Sequence, residues 1–218
     1  MKKSGTIIMS LLPMVLCSCG VWVNAPTQPE SSPTPYASPT PTPSPSSRVS
    51  LAADMLFPFE DNTNWWRYTE SGGNRVSIEV TDTISDENVL YYRVSFKENR
   101  VDTTDDWFKR VSHQIMFAPS LIGSYSLFLP ARIDSAKGSF ISATGSVNYT
   151  YYDTLSAGGT LFRHVLVLDY ATPILHGFNE IAFADSVGIV RLTDSHGRWP
   201  VEYAIDSCSV FGEVAHYR

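Results

Sequence analysis

Residues 75–84, RVSIEVTDTI, and residues 88–98, NVLYYRVSFKE, carry apolar side chains at every second position. Val76, Ile78 and Val80 face one way while Ser77, Glu79 and Thr81 face the other. In the second stretch Leu90, Tyr92, Val94 and Phe96 alternate with Tyr91, Arg93, Ser95 and Lys97. A repeat of two is the mark of a strand with one buried face. The same beat predicts one face for Trp107, Val111, Ile115 and Phe117, and another for Trp199, Val201, Tyr203 and Ile205. The run from Thr160 to Tyr170, TLFRHVLVLDY, is apolar on both sides and reads as a central strand covered on each.

Turn-forming clusters separate these runs at 71–74, 85–88, 156–159 and 194–197. No long window repeats at 3.6 residues with caps, so little helix is expected. Many strands with short polar turns imply an all-β fold, an antiparallel meander that forms either a sandwich or a curved, barrel-like sheet. Residues 51–218 supply enough chain for one such domain.

The first 50 residues have a different character. Lys2 and Lys3 precede an apolar run from Ile7 to Leu16, the layout of an export signal and too short for a lasting membrane span. Leu16-Cys17-Ser18-Cys19 resembles the lipobox of bacterial lipoproteins. The resemblance implies a signal peptide over 1–18, cleavage before Cys19 and acylation (palmitate and related chains) of Cys19. An ordinary secretory signal cleaved near Asn24-Ala25 is the alternative. Gly20 follows the cysteine where an Asp would be associated with inner-membrane retention, so the expected address is the cell envelope at the outer membrane.

Residues 25–48, APTQPESSPTPYASPTPTPSPSSR, hold eight of the 14 prolines. With the lipidated start they make residues 19–50 a disordered tether, since such a composition has nothing to bury. Extended as polyproline II, the Pro-rich block would reach roughly 70 Å. Losing Lys2 and Lys3 from 16 basic residues leaves 14 against 22 acidic ones, a net charge of about −8. That balance, with no basic stripe, argues against nucleic acid as a partner.

Three motifs in the domain carry a second resemblance. LFPFEDNTNWWRYTE (56–70) is similar to the opening F-P-L-x-x-G-N-x-W-x-Y of a loose group of bacterial envelope and secreted domains. SAGGTLFRHVLVL (156–168) is similar to that group's G-T-F segment, and FADSVGIVRLT (183–193) to its closing G-V-G-x-V segment. Two departures stand out: no Gly precedes the Asn of the opening motif, and Ser186 begins the closing one. The resemblance implies an all-β envelope domain and brings no activity with it.

Reactive constellations are sparse. His113, His164, His176, His196 and His216 fall outside ligand spacing of one another. His164 shares a face with Phe162, Leu166 and Leu168 and is the histidine expected to be buried. His196 in the Asp194–Gly197 turn has no nucleophile elbow to work with. Asp102, Asp105 and Asp106 lack the spacing and Gly of a calcium loop and read as a solvated connection. Cys208, in an apolar stretch, reads as a buried, inert thiol. No metal and no cofactor is expected.

Aromatic residues are the remaining candidates for binding. Trp65 and Trp66 take opposite faces of a strand, and Tyr149, Tyr151 and Tyr152 form a second group. An exposed flat ring can stack on a sugar or seat a partner. The expected function is thus a lipid-anchored envelope protein that binds a partner or serves structurally. A carbohydrate-binding module using those aromatics is the alternative, and an envelope hydrolase or metal-dependent enzyme the third reading.

Overall fold

The computed structural model describes residues 51–58, 63–87, 89–99, 101–142, 144–195 and 200–217. The signal, the tether and Cys19 lie outside the described residues, as do His196 and Trp199. The fold is all-β and antiparallel. Strands run as β1 (Leu51–Ala52), β2 (Trp65–Glu70), β3 (Arg75–Asp86), β4 (Val89–Glu98), β5 (Val101–Val111), β6 (Gln114–Ala118), β7 (Ser126–Leu129) and β8 (Arg132–Ile133). They continue as β9 (Lys137–Ser142), β10 (Gly145–Ala157), β11 (Thr160–Ile174), β12 (Phe178–Ala184), β13 (Gly188–Asp194), β14 (Val201–Val210) and β15 (Glu213–His216). One helical turn, α1 (Ala53–Leu56), follows β1.

Thirteen strands form one sheet in the order β7-β6-β5-β4-β3-β2-β14-β13-β12-β11-β10-β9, with β15 added to β14. Each hairpin neighbour in sequence is a neighbour in space, and the chain's two halves join where β14 pairs with β2. The sheet curls on itself. Phe128 on β7 lies 5.9 Å from Phe183 on β12 and stacks on Tyr170 of β11 at 6.3 Å, although those strands are far apart in the order. The edges β7 and β9 come close together without pairing, which leaves a nearly closed barrel.

That seam is where the segment after the tether sits. β1 pairs with β8, which connects the two edge strands, and α1 lies against β6 and β13. Phe57 then enters the interior, with its ring 5.1 Å from Phe108, 5.4 Å from Phe128 and 5.8 Å from Phe183. Burying Leu51, Leu56 and Phe57 stabilises the closed form at about 1.5–3 kcal/mol per large side chain.

The opening motif proves to be structural. Asn64 is buried; its side chain accepts the Phe211 N–H at 2.8 Å and donates to the Pro58 carbonyl, while its own carbonyl accepts the Val80 N–H at 3.0 Å. Trp66 and Tyr68 fill the barrel and satisfy their polar ends on the backbone of β13 and the turn before it, one strand beyond β14. The Trp66 indole donates to the Val187 carbonyl at 2.6 Å, and the Tyr68 hydroxyl to that of Ile189 at 3.0 Å. These acceptors belong to the closing motif, so the two motifs meet. A Cβ on Gly188 would fall 3.0 Å from the Trp66 ring nitrogen, and φ there is +92°, so only glycine fits without a shift. Ser186 holds φ +61°, a left-handed conformation that costs a non-glycine residue roughly 1–2 kcal/mol.

Three sequence expectations are corrected, the first being that Asp102, Asp105 and Asp106 belong to β5 and not to a solvated connection, with Asp106 buried. Residues 106–117 do not keep one face: Ser112 and His113, both at positive φ, turn the chain between β5 and β6. Phe108, paired with Tyr92 and Phe117, therefore points inward, and Trp107, paired with Arg93, points outward. His164 is exposed, because φ +53° at that position breaks the alternation that would have buried it.

The break at His164 has a structural use. β11 pairs with β10 as far as Thr160 but with β12 only from Val165 onward. The free end of the β10–β11 hairpin folds back over the outside of the sheet as far as β14. There a Cβ on Gly158 would meet the Ala204 side chain at 2.9 Å, and Phe162 packs on Tyr217 at 5.1 Å. Leu155, Ala157 and Phe162 are buried as a result. This second layer explains the two-sided burial of Val165–Leu168.

Candidate functional site

Beyond the folded-back hairpin the outer sheet face is open. Pairing fixes which side chains stand there: Trp65 opposite Glu79, Arg67 opposite Ser77, Thr69 opposite Arg75, and Ser77 opposite Lys97. On the other side of β2, Ser207 of β14 stands opposite Arg67. Small serines between long charged side chains leave a groove of about 660 Å³ across β14, β2, β3 and β4, within the range of small-molecule sites.

Its charges are unequally committed. Lys97 Nζ reaches Glu79 Oε2 at 2.8 Å. Asp206 is held by hydroxyl donors on both oxygens, Thr69 Oγ1 to Oδ2 and Ser207 Oγ to Oδ1, each at 2.7 Å. The Arg67 guanidinium lies over the Trp65 ring, 4.4 Å from its centre, a cation–π contact that fixes its position. Arg75 lines the groove with no carboxylate partner for its guanidinium among the described residues.

The sequence-nominated aromatics separate. Trp65 is half-buried on the outer face with Arg67 over its ring, and Trp66 is 1 % exposed inside the barrel. Tyr149, Tyr151 and Tyr152 lie on β10, with β14, β13, β12 and β11 between them and β2. Tyr149 is half-buried, its hydroxyl 2.8 Å from Ser135 Oγ. A Cβ on Gly138 would collide with its ring, so glycine makes room for it. Tyr151 is buried, with its hydroxyl 2.5 Å from His164 Nδ1. Burial pushes its phenol upward, helped by the charges of Asp153 and Asp185. Tyr152 is half-buried. The structure does not gather the five rings into one surface.

Other reactive groups are dispersed. Asp105 pairs with Arg93 outside, its Oδ2 2.9 Å from Arg93 Nε, while Asp106 points inward and its Oδ2 lies 3.0 Å from His176 Nε2. His176 also packs on Phe96, at 4.3 Å between ring centres. Among the described residues no three metal-ligating side chains come together. Cys208 is buried, as expected, and burial raises its thiol pKa against a smaller lowering by Tyr217 and the Ala215 backbone. Sequence reasoning missed Arg67, Arg75 and Lys97. Eight and twenty-two residues along the chain separate successive members, and only strand register brings them together.

No family model matches the chain, and no curated protein does. Among solved structures, similarity is found to a candidate lipoprotein of Parabacteroides distasonis ATCC 8503, with a TM-score of 0.35 and 9 % identity over 74 % of this chain and 98 % of the other. A candidate exported protein with a YmcC-like fold from Bacteroides fragilis NCTC 9343 gives a TM-score of 0.37 and 10 % identity over 76 % of this chain and 100 % of the other.

Proposed function

We propose that the chain is a lipid-anchored cell-envelope protein whose barrel acts as a binding module. The groove across β14, β2, β3 and β4 carries this reading, because a sheet face built only for solubility has no need of a concave, mixed-charge site of that volume. The lipobox at Leu16–Cys19 and the Pro-rich tether support the anchor. An acylated Cys19 holds the N-terminus at the membrane, and residues 20–50 let the domain reach material beyond the headgroups. Gly20 favours the outer membrane.

Two measurements test this reading. A Cys19→Ser variant should leave the membrane fraction and escape globomycin-sensitive processing; an unchanged distribution would refute the anchor. The full chain in detergent should co-sediment with at least one purified envelope polysaccharide or sacculus fraction. Absence from every pellet would remove the binding reading.

A further inference from the structure

We infer that the outer groove recognises a sugar bearing a single carboxylate, a hexuronate unit of an acidic polysaccharide. This deepens the binding reading above and rests on it. Three features of the groove select that class.

The first is the state of its cations. Arg67 is propped by Trp65, and Arg75 stands without a carboxylate among the described residues. A rigid guanidinium fork matches a carboxylate in a bidentate pair. Trp65, which the sequence offers as a sugar platform, instead supports the charge that reads the ligand.

The second is the balance. With Lys97 engaged by Glu79, the guanidiniums of Arg67 and Arg75 face the one other carboxylate of the lining, Asp206, which leaves room for one negative charge. The excess is local, since the whole chain carries −6. A lipid surface dense in phosphate would press several charges at once against Glu79 and Asp206, whereas a polyuronate spaces its carboxylates one to a sugar. One carboxylate per residue fits.

The third is the remaining lining. Glu79 and Asp206 can accept hydrogen bonds from sugar hydroxyls, Ser77 can donate or accept, and Ser207, whose proton goes to Asp206, can accept. Neighbouring acceptors beside a pinned cation suit a polyol with one anionic group. They do not suit an apolar ligand.

The test is calorimetric titration of the full chain in detergent with tetragalacturonate, its methyl ester and inorganic phosphate. Tetragalacturonate should bind and should weaken as salt rises. The methyl ester, which keeps the hydroxyls and loses the charge, should bind about tenfold more weakly or worse. Arg75→Gln should lose about as much for the acid and nothing for the ester, with the thermal melt reporting that the fold is intact. Equal binding of acid and ester by the native chain would overturn the inference without any variant. Phosphate competing at the same affinity as the tetramer would also overturn it, by showing a general anion site. Co-sedimentation with a neutral polysaccharide alongside no response to tetragalacturonate would sink this inference and leave the binding module standing.

Discussion

Where β11 and β12 run beneath the folded-back hairpin, the outward side chains Val165, Val167, Ala182 and Ala184 are all buried, whereas along β2, β3 and β4 the outward side chains include Trp65, Arg67, Arg75, Ser77, Glu79 and Lys97, all reached by solvent. Both sets belong to one sheet and one face. On the first, small and branched apolar residues give a smooth surface that another layer can cover, and the β10–β11 hairpin folds back to supply that layer. On the second, long charged side chains separated by serines hold any layer away and leave a groove. Residue size and charge on the outward positions thus decide which half of the sheet is structural and which is free to bind.

The largest test of this contrast concerns what both halves share. Tyr68 and Tyr170 are held neutral in the interior, burial pushing each well above the ordinary value of 10.0, with the Cys208 thiol adding to the effect at Tyr68. A raised phenol pKa in the folded state stabilises fully below the unfolded value and is lost as pH climbs beyond it. The denaturation midpoint should be insensitive to these groups at pH 8 and fall steeply above about pH 10; a flat profile to pH 12 would show that the rings are wet.

Next in size, Phe162→Ala removes the aromatic that seats the hairpin on Tyr217 and should cost about 3 kcal/mol in chemical denaturation. A loss within 0.5 kcal/mol or so, the usual surface value, would mean the second layer contributes nothing. Gly158→Val adds a branched side chain where φ is +57° and its Cβ would meet the Ala204 side chain at 2.9 Å, for about 2 kcal/mol. The open half should respond least. Trp65→Ala should change stability by under about 1 kcal/mol while releasing Arg67, so that ligand affinity moves and the melting curve does not.

Much of the barrel was legible before its structure. Val76, Ile78, Val80, Tyr92, Val94 and Phe96 are inside as their alternation requires, because a repeat of two in a half-buried strand admits one solution. The failures share a cause. Ser112, His113 and His164 adopt left-handed backbone without being glycine, so no turn signal marks them, yet they set where β5 ends and where the hairpin bends. Trp65 and Trp66 were separable onto opposite faces, but nothing local says which is inside; that follows from Trp66 reaching Val187, 121 residues away. The groove was invisible for the same reason. Arg67, Arg75 and Lys97 become neighbours only through the pairing of three strands.

Thiol accessibility tests the division of the outer face most directly. Ala182→Cys places a thiol on the covered half, and Ser77→Cys places one in the groove; in the described domain the native Cys208 is buried and silent. The Ser77→Cys thiol should react with a water-soluble maleimide quickly in the native protein, and the Ala182→Cys thiol should stay protected until Phe162→Ala is added. Equal and rapid labelling of both in the native fold would contradict the hairpin cover and, with it, the distinction between a sealed half and a binding half.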